Sequence, residues 1–271
     1  MKFSTRGDAL TAGPAALVVA HPGHELRVHG WLEWARPTVF VLTDGSGHGS
    51  EGRMESTARL LQRAGASTGS VASRFTDREL YRTILERRVS VFTDLATELA
   101  AAFVAGRFDY VVADAAEGYN PGHDLCRYVV DAAIECARAA LPGTFRSFEI
   151  DLAAAPAVDA GSGMDRGVCL ELDEDALERK LQAARDYVEM AAEVDGALER
   201  WGAAAFRYEH LRETSPGLRE PPAEASAPYY ERHGDRRRAE GTYEQVIRYR
   251  EHIRPVYDAL RIHAKTARGP V

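Results

Sequence analysis

The run Ala15–Ala20 is short and apolar, and it ends in His21, Pro22, Gly23, His24 and Glu25. Two imidazoles three positions apart on a turn can reach one point. Imidazole nitrogen is a favoured donor to zinc and related divalent ions. A third histidine, His123, stands much later in the chain, in the stretch YNPGHD. Three protein donors with one position left open make the usual catalytic zinc centre. Such an ion brings a bound water to a pKa near ~7, and a carboxylate close by can take the proton. Acidic residues are at hand: Asp44 in TDGSGH, and Asp114 and Glu117 in DAAEGYN. A single histidine beside a strand is more often a structural hydrogen-bonder than a ligand. The joint placement of His21, His24 and His123 is what points to a metal. His29 lies further along the same helical pattern and is expected at the surface. His48, in a glycine loop, is a candidate substrate contact.

The elements that must position these residues follow from hydrophobic patterning. Apolar runs predict strands over 15–20, 38–43, 68–72, 110–113 and 145–150, and helical spacing fills 25–34, 51–63, 77–105 and 123–140. Thr76 and Glu79 have capping-box spacing at the start of the longest helix. Strands alternating with helices predict an α/β class, doubly wound, mostly parallel sheet. Such sheets bind ligands beyond the carboxyl ends of their strands. The loops after the first, second and fourth expected strands all carry His, Asp or Glu, and Asp151 follows the fifth. The last third predicts helices over 174–192, with Asp173 as N-cap, and over 197–212 and 239–263. The whole chain, 1–271, therefore reads as one domain, with a core over about 10–155 and a helical C-terminal part over about 156–271.

The 271 residues are 45% hydrophobic, enough for a real core, and carry a formal net charge of −7. That sign argues against nucleic acid as a partner. No run approaches the ~18 apolar residues of a membrane span. The N-terminus lacks the apolar stretch of a signal peptide, and Cys126, Cys136 and Cys169 follow no CxxC spacing. The expectation is a cytoplasmic protein with reduced, packed thiols. A Pro- and charge-rich excursion, SPGLREPPAEASAPYYERHGDRRR, precedes the last helix. It reads as a solvated surface or as a wall over a substrate. In the second case Tyr229 would stack on the substrate and Arg232 would face an anionic group. An exposed segment of this kind could also serve an interface in a homo-oligomer.

ALVVAHPGHE resembles the AHPDDE motif of the PIG-L/LmbE-like zinc N-deacetylases. YNPGHDLCR resembles that family's HPDHxxA segment, and LERKLQAARDYVEM its lysine-bearing helix. The resemblance implies a Rossmann-like fold, one Zn2+ per chain, and a small-molecule substrate. Members remove acyl groups, usually acetyl, from amino sugars or sugar-linked lipids and thiols. His21, His24 and His123 then fall on the three metal ligands, with the second changed from carboxylate to imidazole. The family's general base is replaced by Gly23, the leading His of HPDH by Asn120, and its Asp by Gly122. A rewired hydrolase would need another base, for which Glu117 is the first expectation and Asp44 the second. Asn120 or Tyr119 could donate a hydrogen bond to the developing oxyanion.

Two other classes stay open. Gly47, Gly49 and Gly52 fit GxGxxG, which would suit a dinucleotide-binding oxidoreductase. The motif follows the second expected strand rather than the first, and no acidic residue ends the next one. The missing family base also leaves room for a metal- or ligand-binding protein without turnover.

Overall fold

The computed structural model describes residues 1–6, 10, 13–47, 52–153, 166–215, 217–218 and 227–267. The described strands are β1 (Lys2–Arg6), β2 (Ala15–Val19), β3 (Thr38–Thr43), β4 (Ser67–Phe75), β5 (Tyr110–Asp114), β6 (Arg146–Ile150), β7 (Gly167–Glu171) and β8 (Tyr208–Glu213). They form one sheet in the order β1-β7-β8-β6-β5-β2-β3-β4. The block β6-β5-β2-β3-β4 is parallel. β8, β7 and β1 extend it antiparallel. The helices are α1 (His29–Ala35), α2 (Met54–Ala64), α3 (Asp77–Leu85), α4 (Val89–Ala105), α5 (Pro121–Ala137), α6 (Glu174–Arg185), α7 (Ala191–Trp201), α8 (Tyr229–Ala239) and α9 (Arg254–Ala267). This is the expected α/β class with a Rossmann-like parallel block.

Both sheet faces are covered, which is why the central strands read as unbroken apolar runs. β2 and β5 are buried along their whole length. On one face Ala16, Val18 and Val111 pack with residues of α4, α5 and α9, among them Leu99, Val129 and Tyr257. On the other, Leu17, Val41 and Val112 pack with Trp31 of α1, Leu61 of α2 and Leu177 of α6. Each fully buried side chain of this size contributes about 1.5–3 kcal/mol. The chain winds outward in both directions from between β2 and β5. That is the switch point at which doubly wound sheets open a crevice.

The sequence expectations need correction in the C-terminal part. The span 197–212, expected as helix, ends α7 at Trp201 and enters β8 at Tyr208. Glu, His, Leu and Arg are ordinary helix formers, but here Glu209 and Leu211 alternate inward. The C-terminal part is therefore not only helical: β7 and β8 join the main sheet. The expected helix over 77–105 is two helices, broken at Arg87, which takes φ +52° without Gly or Pro. The expected helix over 25–34 begins as a 3₁₀ turn over His24–Val28. The end of the Pro-rich excursion is helix α8, not loop. Cys126 and Cys169 are buried, Cys136 is half-buried, and all three are free thiols. Among the described residues no helix is long and apolar enough to cross a membrane.

Candidate functional site

His21 and His24 leave the carboxyl end of β2, and His123 sits in the first turn of α5, just after β5. The fold brings all three to the switch point. The ring centroids of His21 and His24 lie 5.4 Å apart, those of His21 and His123 5.4 Å, and those of His24 and His123 4.6 Å.

Buried carboxylates orient two of these rings. His24 Nδ1 donates to Asp114 Oδ2 at 2.8 Å, and the same oxygen accepts the Ala20 amide at 2.7 Å. His21 Nδ1 faces Asp77 Oδ1 at 2.9 Å and Thr43 Oγ1 at 2.8 Å. The Thr43 hydroxyl gives its proton to the Ala20 carbonyl, so it accepts from His21. In both rings Nδ1 is therefore the nitrogen that donates to a carboxylate. Burial alone would raise the Asp77 carboxyl. The hydrogen bond and charge of His21, with Thr43 and the Gly47 amide, outweigh it and hold Asp77 well below the usual carboxylate range. Burial, then the neighbouring His24 and His21, push His123 well below the ordinary imidazole range, which leaves it neutral.

By its chemistry, three imidazoles, this donor set suits a divalent ion. His21 Nε2 and His123 Nδ1 are buried without a hydrogen-bond partner, as expected of nitrogens kept for another electrophile. Three imidazoles sharing one ion at ~2.0–2.1 Å would place their centroids about 5 Å apart. Among the described residues no group of three or more His, Cys, Asp or Glu side chains is placed to hold a metal ion as it stands. The rings are gathered but not closed on one point. Gly122 leaves the room: a Cβ there would stand 3.0 Å from His21 Nε2.

The turn carrying the histidines is braced by Glu25, which is fully buried. Its carboxylate accepts the Gly23 amide at 2.8 Å and the Thr57 hydroxyl at 2.8 Å. Gly23 itself has φ +104°, and the thioether of Met190 fills the space its side chain would need. The space beside Gly23 is thus filled by an apolar group.

The other expected site residues have other partners. Glu117 accepts the Leu152 amide at 2.9 Å and the Ala153 amide at 3.1 Å, pinning its loop to the end of β6. It does not line the cavity beside the histidines. Asp44 accepts from the amide and hydroxyl of Ser46 and closes a turn. Asn120 caps α5 by accepting the Gly122 amide at 2.7 Å, and its amide also bonds Tyr81. Both carboxylates and the Asn120 amide thus already have protein partners. Tyr119 is 47% exposed and stacks on Tyr229, with centroids 4.9 Å apart and planes 3° from parallel. Arg232 is exposed on α8 and does not line that cavity. His48 and Gly49 lie outside the described residues. His29, expected at the surface, is buried at the start of α1.

The cavity has a volume of about 440 Å³, and its walls include His24, His123, Tyr119, Asp151 and Met190. Sequence reasoning missed Asp77, Thr43 and Met190. Asp77 follows Thr76 in the capping box and read as a helix start. Met190 carries no chemical signal of its own.

Neither a family model nor a curated protein sequence matches the chain. Solved structures do. The conserved protein TT1542 from Thermus thermophilus is 17% identical, with a TM-score of 0.51 over 79% of this chain and 100% of that one. The A40926 pseudoaglycone deacetylase Dbv21 is 18% identical, with a TM-score of 0.53 over 77% of this chain and 100% of that one. The teicoplanin deacetylase Orf2, in its zinc-inhibited form, is 14% identical, with a TM-score of 0.50 over 73% of this chain and 96% of that one. At these identities the likeness establishes a shared fold.

Proposed function

We propose that this chain is a metal-dependent amide hydrolase of the PIG-L/LmbE-like type, which N-deacylates a small amino-sugar-containing metabolite. The observation that carries the reading is the histidine cluster at the switch point, with two rings locked by buried carboxylates and two buried nitrogens left without partners. The deacetylase names of Dbv21 and Orf2 support it. His21, His24 and His123 would hold one zinc ion. When bound, such an ion supplies Lewis acidity toward water and toward an amide carbonyl.

The chain's own residues supply the rest. Asp77 and Asp114 fix the tautomers of His21 and His24, the outer-shell arrangement that sustains ligand basicity. Asp151, at the end of β6, is a cavity carboxylate already paired with Arg212, which leaves Glu193, one turn beyond Met190, as the candidate to accept a proton. Tyr119, stacked on Tyr229, offers an aromatic face to a sugar ring. The measurement is metal content by mass spectrometry on untagged wild type and His24→Ala, with hydrolysis of N-acetylglucosamine conjugates followed in parallel. About one zinc per chain, lost on substitution, together with amine release, supports the reading. No metal after zinc is supplied overturns it.

A second reading is favoured by Met190, which fills the space of the family base. A protein that keeps the metal ligands without proton transfer would bind metal or ligand and not turn over. Zinc uptake without amine release from any N-acyl sugar would select it.

A further inference from the structure

The cavity beside His24 and His123 is far larger than an acetyl group and is built mainly of apolar side chains. Helix α7 explains why. None of its residues is buried, yet Val194, Leu198 and Trp201 recur at i, i+4 and i+7 and all face the cavity. An amphipathic helix normally turns such a stripe onto a core. Here the stripe is only partly packed on the core, through Leu198, and with Leu181, Met190 and Phe206 it lines the cavity.

The polar side chains of the same walls are largely occupied. Lys180 donates to Glu209 and to the Arg27 carbonyl. Glu209 accepts the amides of Gly30 and Trp31. Arg27 donates to the Asp151 carbonyl, and the Asp151 carboxylate takes Arg212. What stays available to a ligand is mostly apolar surface running up to the histidines, with the Glu193 carboxylate on α7.

We propose that this cavity is an acyl-chain pocket and that the amide substrate carries a medium-length aliphatic acyl group rather than acetyl. This rests on the amide-hydrolase reading for the position of the scissile bond, but not for the pocket itself. The carbonyl end would lie against His24 and His123, the chain along α7, and the sugar toward the exposed Tyr119.

The test is calorimetric binding of N-acetyl-, N-butanoyl-, N-hexanoyl- and N-octanoyl-glucosamine to the metal-free protein. The expected result is a Kd that falls about ten-fold for every two added methylenes. Leu198→Glu, which also touches the core beneath the helix, should lower the melting temperature modestly and abolish that dependence. Val194→Glu provides a second variant should Leu198→Glu lose stability. A Kd independent of chain length, or a dependence unchanged in both folded variants, overturns the proposal. Amine release by the zinc-loaded protein is measured separately on the same compounds. Hydrolysis of the acetyl compound without length-dependent binding would remove the pocket and keep the hydrolase. Length-dependent binding without any hydrolysis would keep the pocket and remove the hydrolase.

Discussion

The thioether of Met190 occupies the volume into which a side chain at Gly23 would project; Met190 Cε stands 3.1 Å and Cγ 3.7 Å from that Cβ position. Gly23 is therefore held by packing as well as by its φ of +104°. Gly23→Asp alone should destabilise the fold by roughly 1–3 kcal/mol, the usual cost of overpacking. Gly23→Asp with Met190→Ala should recover part of that loss in urea denaturation. If the space is that of a proton-transfer group, the double variant should also raise amine release by about 10²-fold or more. Equal stability of the single variant and wild type would show that Met190 swings aside freely.

Asp114 is fully buried and serves His24 and the Ala20 amide through one oxygen. Asp114→Asn can still accept from one of them but lacks the charge. Zinc affinity, read by competition with a chromophoric chelator, should fall about 10–100-fold, as is typical of such partners. Asp77→Asn should act on His21 in the same way. Unchanged affinity in both variants would detach the histidines from metal binding.

Glu117 is a loop brace, so Glu117→Gln should leave kcat within about two-fold in a hydrolase whose bases typically contribute 10²–10⁴-fold. Its pH signature is in stability. Burial raises the Glu117 pKa from 4.5 against the pull of the Leu152 and Ala153 amides. Its contribution is full below the unfolded value and is lost as pH rises through the higher folded value. Relative to Glu117→Gln, wild type should therefore lose stability as pH rises above about 4.5. Denaturant midpoints of the two proteins across that range check the sign.

Lys180 and Glu209 form a buried pair at 2.8 Å, and Glu209 also receives the first amides of α1. Removing one partner strands a buried charge. Glu209→Ala should cost about 3–5 kcal/mol in urea unfolding. Lys180→Met with Glu209→Met should cost less than the two single changes added together, because neither charge is left alone.

The parallel block was legible because burial on both faces writes strands as unbroken apolar runs. TVFVLT and YVVA are strands in the sequence and in the structure. The three antiparallel strands were not legible. YEHLRE is a strand because Glu209 finds amides and a lysine inside, and no local propensity reports that. The break at Arg87 was equally silent, since no Gly or Pro marks it. Within the site, the three histidines could be assembled from the rule that ligands gather at strand ends. Their orienting partners could not: Asp77 reaches His21 across 56 positions, and only the register of β3 and β4 brings them together.

β7 and β8 are hydrogen-bonded neighbours, so residues 172–207 form one long connection across a single hairpin. Every residue of the apolar stripe lies in that connection, and all three histidines lie outside it. The proposed pocket wall is thus one insertion between two adjacent strands, and its helix α6 also covers one face of the sheet. Changing only the outward stripe of α7, by natural drift or by a protein engineer, would alter the pocket wall while Met190 and Tyr187 keep their hold on the histidine turn.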